Sequence, residues 1–317
     1  MALRLDMGYS AIVTAVASAS LNIPIDDVVS RRKISESAIF SASAFPDGVE
    51  EKIIHVRATD GYEIPVFHYQ GNRSRQDEGQ VAGAAVMQLH GGGLISGNPH
   101  FSLSSIAEFC RQTDVQFFSV DYRLAPEHPF PTALEDCWTV LKWMADNAEQ
   151  LGVDKARIGV MGDSAGGGLA AALTLVARDR HFDPPIARQI LTYPMLNDTA
   201  AAGVLKDLPL VWSERDDETA WNAYLGKGRR GTDCVSALAA PARVKDVKGL
   251  PPLYMEVGQI DMFAPDDAAY FAKFVAAGIE TEFHFLPEMP HGFDLLMPDH
   301  EQAKTSIKNR VRQLKLI

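Results

Sequence analysis

A serine stands among small residues in Gly162-Asp163-Ser164-Ala165-Gly166, where an apolar run (Ile158 to Met161) stops and an alanine-rich stretch begins. This is the G-x-S-x-G spacing of a sharp strand-to-helix turn, which pushes a hydroxyl out of a sheet and sets it at a helix N-terminus. Side chains two residues before and two after the serine would collide with strand and helix, so both positions call for glycine. Alone, the pentapeptide is equally a glycine-rich helix start with an N-capping serine. A second glycine cluster, His90-Gly91-Gly92-Gly93, directly follows the apolar run "GAAVMQL". Its bare backbone can turn successive N–H groups toward one point. Together the two clusters describe a serine nucleophile facing an oxyanion site built from Gly92, Gly93 and Ala165.

Such a nucleophile needs a base and an acid, in the chain order serine, acid, histidine, each in a loop beyond a strand. Asp261 follows "YMEVGQI" and His291 follows "FHFLPEMP", which makes Ser164, Asp261 and His291 the expected triad. Asp266 and Asp267 fall where the next helix should start, and its dipole accounts for them without catalysis. Asp294 follows the histidine too closely to present a carboxylate to it. His90 is expected to orient the glycine loop. The remaining histidines lie within strands or in loops with no ordering acid at the right chain position.

Other chemistries lack their residues. No lysine follows the glycines, so there is no P-loop, and neither cluster fits G-x-G-x-x-G. Glu288 and His291 have a metal-motif spacing, but Pro287 and Pro290 forbid the helix it requires, and H-E-x-x-H is absent. The expectation is no metal and no cofactor. Lys and Arg number 30 against 41 Asp and Glu, a net charge of −11 that repels phosphate backbones and argues against nucleic acid. The basic cluster Lys227, Arg229 and Arg230 reads as a solvated loop. Three cysteines are too few and too scattered for a disulfide framework, and Cys110 and Cys137 read as small buried hydrophobes. No apolar run reaches membrane-spanning length. The N-terminal "AIVTAVASA" reads as a helix rather than a cleaved signal, which places the protein in the cytoplasm.

The elements that must hold these residues follow from periodicity. "KIIHVRATDGYEIPVFHYQ" predicts a hairpin turning at Thr59-Asp60-Gly61. Beyond it, strand-length apolar runs alternate with amphipathic helices, the signature of a mostly parallel sheet with helices on both faces. From about Met195 to Gly231 the alternation lapses into a polar, weakly helical excursion holding Trp212, Trp221 and Tyr224.

With these pieces in hand, the sequence resembles the hormone-sensitive-lipase-like esterases, family IV of the bacterial classification, in the subgroup with aspartate before the nucleophile. The matching stretches are "HGGG" (90–93), "DYRLAPEHPFP" (121–131), "GDSAGGGLA" (162–170), "GQIDMF" (258–263) and "HGF" (291–293). The resemblance implies an α/β-hydrolase fold and hydrolysis of short- to medium-chain carboxylic esters through an acyl-enzyme on Ser164. It implies one domain of 317 residues with a helical cap from about 1–45 and 195–231, over a core of 46–194 and 232–317. Members often pair through a sheet edge, so a homodimer is open. Leu94 stands where many members carry an aromatic residue, and Asp261-Met262-Phe263 where many have Asp-Pro-Leu. Leu94, Trp212 and Phe293 are candidate pocket residues. Lactone hydrolysis, deacetylation or acyl transfer would use the same triad. A non-catalytic receptor, as the plant gibberellin receptors are, loses the triad histidine that is present here.

Overall fold

The computed structural model describes residues 3–39, 47–71, 82–200 and 203–317. Among these residues eight strands, numbered in chain order, form one sheet in the order β1-β2-β4-β3-β5-β6-β7-β8. The expected hairpin is β1 (Val49–Arg57) and β2 (Glu63–Gly71), paired antiparallel, and β2 pairs antiparallel with β4 (Gln116–Val120). From β4 onward every neighbour is parallel: β3 (Gly83–Leu89), β5 (Val153–Asp163), β6 (Gln189–Thr192), β7 (Leu253–Ile260) and β8 (Thr281–Pro290). The central strands are buried along their length because both faces are covered.

Side chains alternate between the two faces. Ala85, Met87 and Leu89 of β3 share one hydrophobic cluster with buried residues of α4 (Thr132–Asp146), the short α5 (Ala148–Leu151), α6 (Ala165–Asp179) and α8 (Ala264–Ala277). Ala84 and Val86 belong to a second cluster with α3 (Leu103–Gln112) and α10 (Glu301–Leu314). Period-2 alternation thus divides one strand between two cores. Cys110 and Cys137 are buried in α3 and α4, as expected.

Three further helices lie outside this sandwich. α1 (Met7–Ser20) contacts both α2 (Val28–Ile39) and the short α9 (Phe293–Leu296), and α2 contacts α7 (Glu214–Leu225). The expected cap segments therefore carry α1, α2 and α7, although residues 1–2, 40–45 and 201–202 lie outside the described residues. α7 starts at a reciprocal cap. The Ser213 hydroxyl accepts from the Asp216 N–H, and the Asp216 carboxylate accepts from the Ser213 N–H. In the basic cluster next to it Lys227 and Arg229 are exposed, as expected of a solvated loop, whereas Arg230 reaches inward to buried Asp217 at 3.1 Å.

Candidate active site

β5 ends at Asp163 and α6 begins at Ala165, leaving Ser164 alone at the corner with φ 53° and ψ −119°. That positive φ strains an L-residue and is kept only because both flanks are fixed. The flanks have no room for anything but glycine. A Cβ on Gly162 would stand 2.2 Å from the Gly166 carbonyl oxygen, and one on Gly166 would stand 2.0 Å from that of Leu89. α6 therefore starts in direct backbone contact with the end of β3, where the second glycine cluster begins. The N–H of Ser164 is committed to the Thr192 carbonyl at 2.9 Å.

The hydroxyl is not committed to the helix. Ser164 makes no side-chain cap, and its Oγ lies 2.9 Å from His291 Nε2. His291 Nδ1 in turn lies 2.6 Å from Asp261 Oδ2, and the other Asp261 oxygen accepts the Phe263 N–H at 3.0 Å. The structure thus brings Ser164, His291 and Asp261 into one hydrogen-bonded line, with the aspartate fully buried and the other two 8 % exposed. Tyr193 and Phe263 hold the imidazole from two sides, with ring centroids 4.7 and 5.3 Å away.

The glycine cluster faces the serine. A Cβ on Gly91 would lie 3.4 Å from Ser164 Cβ, and Gly92 and Gly93 have φ of 112° and 63°. His90 is buried beneath the loop, its Nδ1 2.7 Å from the Gly91 carbonyl and its ring stacked on Tyr122 at 4.2 Å. Burial pushes its pKa down to about 4, so it is a neutral structural donor. Trp212 closes over Gly93 so tightly that a Cβ there would fall 2.3 Å from the indole.

These groups open on a cleft of about 490 Å³. Gly91, Gly92, Gly93, Ser164, Tyr193 and His291 line one end, and Ile12, Val16, Arg31, Trp212 and Asp216 line the outer walls. Of the expected pocket residues only Trp212 is placed at the cleft. Leu94 is turned into the main core beneath the sheet end, and Phe293 is fully buried between Tyr9 and Tyr193. Leu94, at a φ of 64°, follows Gly93, and Phe293 follows Gly292, so both stand beside residues that face the cleft while their own side chains lie in the core. Trp221 and Tyr224 are likewise core residues.

The rejected carboxylates have other roles. Asp294 accepts from the Tyr193 hydroxyl at 2.7 Å and pairs with Arg310. Asp266 accepts from Asn197 at 2.8 Å. Asp267 does stand in the first turn of α8, but burial and the neighbouring Asp261 push its pKa well above the usual carboxyl range. Both effects disfavour a negative charge at this position and so oppose the charge–dipole interaction expected for it. Tyr193, Arg31 and Asp216 carry no motif and were not anticipated at the cleft; the Ser213-x-x-Asp216 capping pattern was the one readable trace of the last.

The α/β hydrolase fold model matches residues 86–295. The chain belongs to the α/β-hydrolase fold family. The resemblance to its hormone-sensitive-lipase-like branch is borne out by the relatives of this hydrolase. Esterase LipI of Mycobacterium tuberculosis is 36 % identical over 219 residues, 68 % of this chain and 67 % of that one. An ethyl acetate hydrolase of Pseudomonas putida is 29 % identical over 304 residues, 92 % of each chain. A hyperthermophilic esterase from Pyrobaculum calidifontis superposes with a TM-score of 0.85 at 28 % identity, over 99 % of this chain and 98 % of that one. Among the described residues, no helix is long and apolar enough to cross a membrane.

Proposed function

We propose that this carboxylic ester hydrolase works as a cytoplasmic serine esterase on short- to medium-chain esters, as one domain whose α1, α2 and α7 form the cap. The observation that carries the reading is the unbroken line from Ser164 Oγ through His291 to Asp261, with 2.9 and 2.6 Å between partners. His291 Nε2 takes the hydroxyl proton as Oγ attacks the ester carbonyl carbon. Asp261 fixes the imidazole so that Nδ1 carries the other proton. The carbonyl oxygen becomes an oxyanion and receives N–H groups from Gly92, Gly93 and Ala165. As the intermediate collapses, the C–O bond to the alcohol breaks and His291 returns the proton to the departing oxygen. A water deprotonated by His291 then attacks the acyl-enzyme and releases the acid and the free serine.

The cleft suits small substrates, at the lower end of the range for small-molecule sites. A series of p-nitrophenyl esters of increasing chain length, run with Ser164→Ala alongside, tests the reading. The expected profile peaks at short chains, and the variant loses on the order of 10⁶ in kcat. Turnover retained in Ser164→Ala would remove the serine from the mechanism.

A further inference from the structure

The outer wall of the cleft holds a buried ion pair that the triad chemistry does not use. Arg31 of α2 and Asp216 of α7 both line the cleft, and both are nearly sealed from solvent, at 4 and 5 % side-chain exposure. Arg31 Nε lies 3.0 Å from Asp216 Oδ1, and Arg31 Nη1 donates to the Pro24 carbonyl at 3.2 Å. Asp216 is fully occupied, because its other oxygen accepts both the N–H and the hydroxyl of Ser213 at 3.0 and 2.6 Å. Arg31 is not: among the described residues its buried Nη2 has no acceptor. A charged N–H left unpaired away from water is costly, which is why buried guanidinium groups are as a rule saturated. Ile12, Val16, Ile23 and Ile34 line the same cleft with side chains that carry no oxygen. The Ser20 hydroxyl, which also lines it, donates to the Ala17 carbonyl at 3.2 Å, and among the described residues neither it nor that of Ser35 accepts from Arg31 Nη2.

On the reading that this is a serine esterase, we infer that Arg31 is a specificity determinant whose free Nη2 receives a second oxygen of the substrate, distinct from the ester being cleaved. Asp216 already neutralises the guanidinium, and the chain as a whole carries a net charge of −11. The oxygen that fits is therefore a neutral acceptor, such as a ketone, hydroxyl or second ester, and a free carboxylate is disfavoured. A site built to hydrogen-bond a substrate oxygen discriminates against the analogue lacking it, because the buried donor is then stranded.

Matched ester pairs test this. Ethyl pentanoate is compared with ethyl 4-oxopentanoate, and pentyl acetate with 4-oxopentyl acetate, with monoethyl succinate as the anionic control. The expected result is a kcat/KM at least about tenfold higher for the oxo member of one pair, and no such gain for the succinate. Arg31→Met should reduce that ratio to about one, and Arg31→Lys, which keeps a charged donor, should restore part of it. Equal kcat/KM within both pairs of the wild-type enzyme overturns the inference while leaving the esterase reading intact, and needs no variant to fold. A wild-type preference that persists in Arg31→Met overturns it as well. Failure to cleave any of the five esters overturns the esterase reading itself.

Discussion

At the scale of single residues, the proposed triad separates the groups that would react from the one that would orient them. Asp261 has no solvent exposure and holds two partners at once, His291 Nδ1 and the Phe263 N–H. Asparagine in its place keeps the size but presents an amide that favours the wrong imidazole tautomer. Asp261→Asn is therefore expected to lose on the order of 10⁴ in kcat while KM and the melting temperature stay near wild type. Steady-state kinetics with a melting curve checks this, and a loss confined to KM would mean that Asp261 serves binding instead. The residues that the structure brings together at the proposed site were legible because elbow and oxyanion chemistry require glycine, and glycine leaves a trace in sequence. Leu94 and Phe293 were misread for the opposite reason. Nothing in the type of a large apolar residue tells whether its Cβ points at a cleft or at the core behind it. Arg31 left no trace at all, since its meaning lies in what surrounds it.

At the scale of the elements, α7 carries a buried acid beside its cap. Asp217 is fully buried in its first turn, facing Arg230, and burial pushes its pKa up to about 7 despite that partner. The folded protein thus binds this proton more tightly than the unfolded chain does. The resulting stabilisation is complete below about pH 4 and is lost as pH rises through about 7. Asp217→Asn cannot titrate. Relative to it, the wild type should lose on the order of a few kcal/mol between pH 4.5 and pH 8, as read from urea unfolding at several pH values. Parallel stability–pH curves for the two proteins would show that the carboxyl stays ionised throughout. The strands were legible where both faces are covered, because β3, β4 and β7 read as mostly apolar runs, interrupted only by Gln88, by Gln116 and Ser119, and by Glu256 and Gln259. The polar stretch around α7 blurred its helix, because the buried face mixes Asp216, Asp217 and Thr219 with Ala220, Trp221, Tyr224 and Leu225.

At the scale of the whole molecule, the C-terminal helix is tied to the catalytic corner by one cation. Arg310 of α10 is 1 % exposed and faces three carboxyls: Glu256 at 3.2 Å, Asp294, and Asp163 at 4.0 Å, which directly precedes the nucleophile. Ser306 adds a hydroxyl to the same cluster and Tyr193 joins it through Asp294, so strands β5 and β7, α9 and α10 meet there. One positive charge does not balance three negative ones, and burial already pushes the Asp163 carboxyl up to about 6. Replacing the arginine by a methionine of comparable length leaves the carboxyls without a counter-charge. Arg310→Met is expected to cost about 3–5 kcal/mol at neutral pH. The pH dependence separates electrostatics from packing. Arg310 holds the Asp163 carboxyl down, so without the cation Asp163 takes up its proton at higher pH still, and acid relieves the variant more than the wild type. The stability gap should narrow as pH falls from 8 to 5, as read by melting temperature in each buffer. A gap of constant size would assign Arg310 a packing role only. Because Asp163 abuts the nucleophile, kcat of the variant at pH 8 should fall as well, which would link the far end of the chain to the reacting hydroxyl through the same charge.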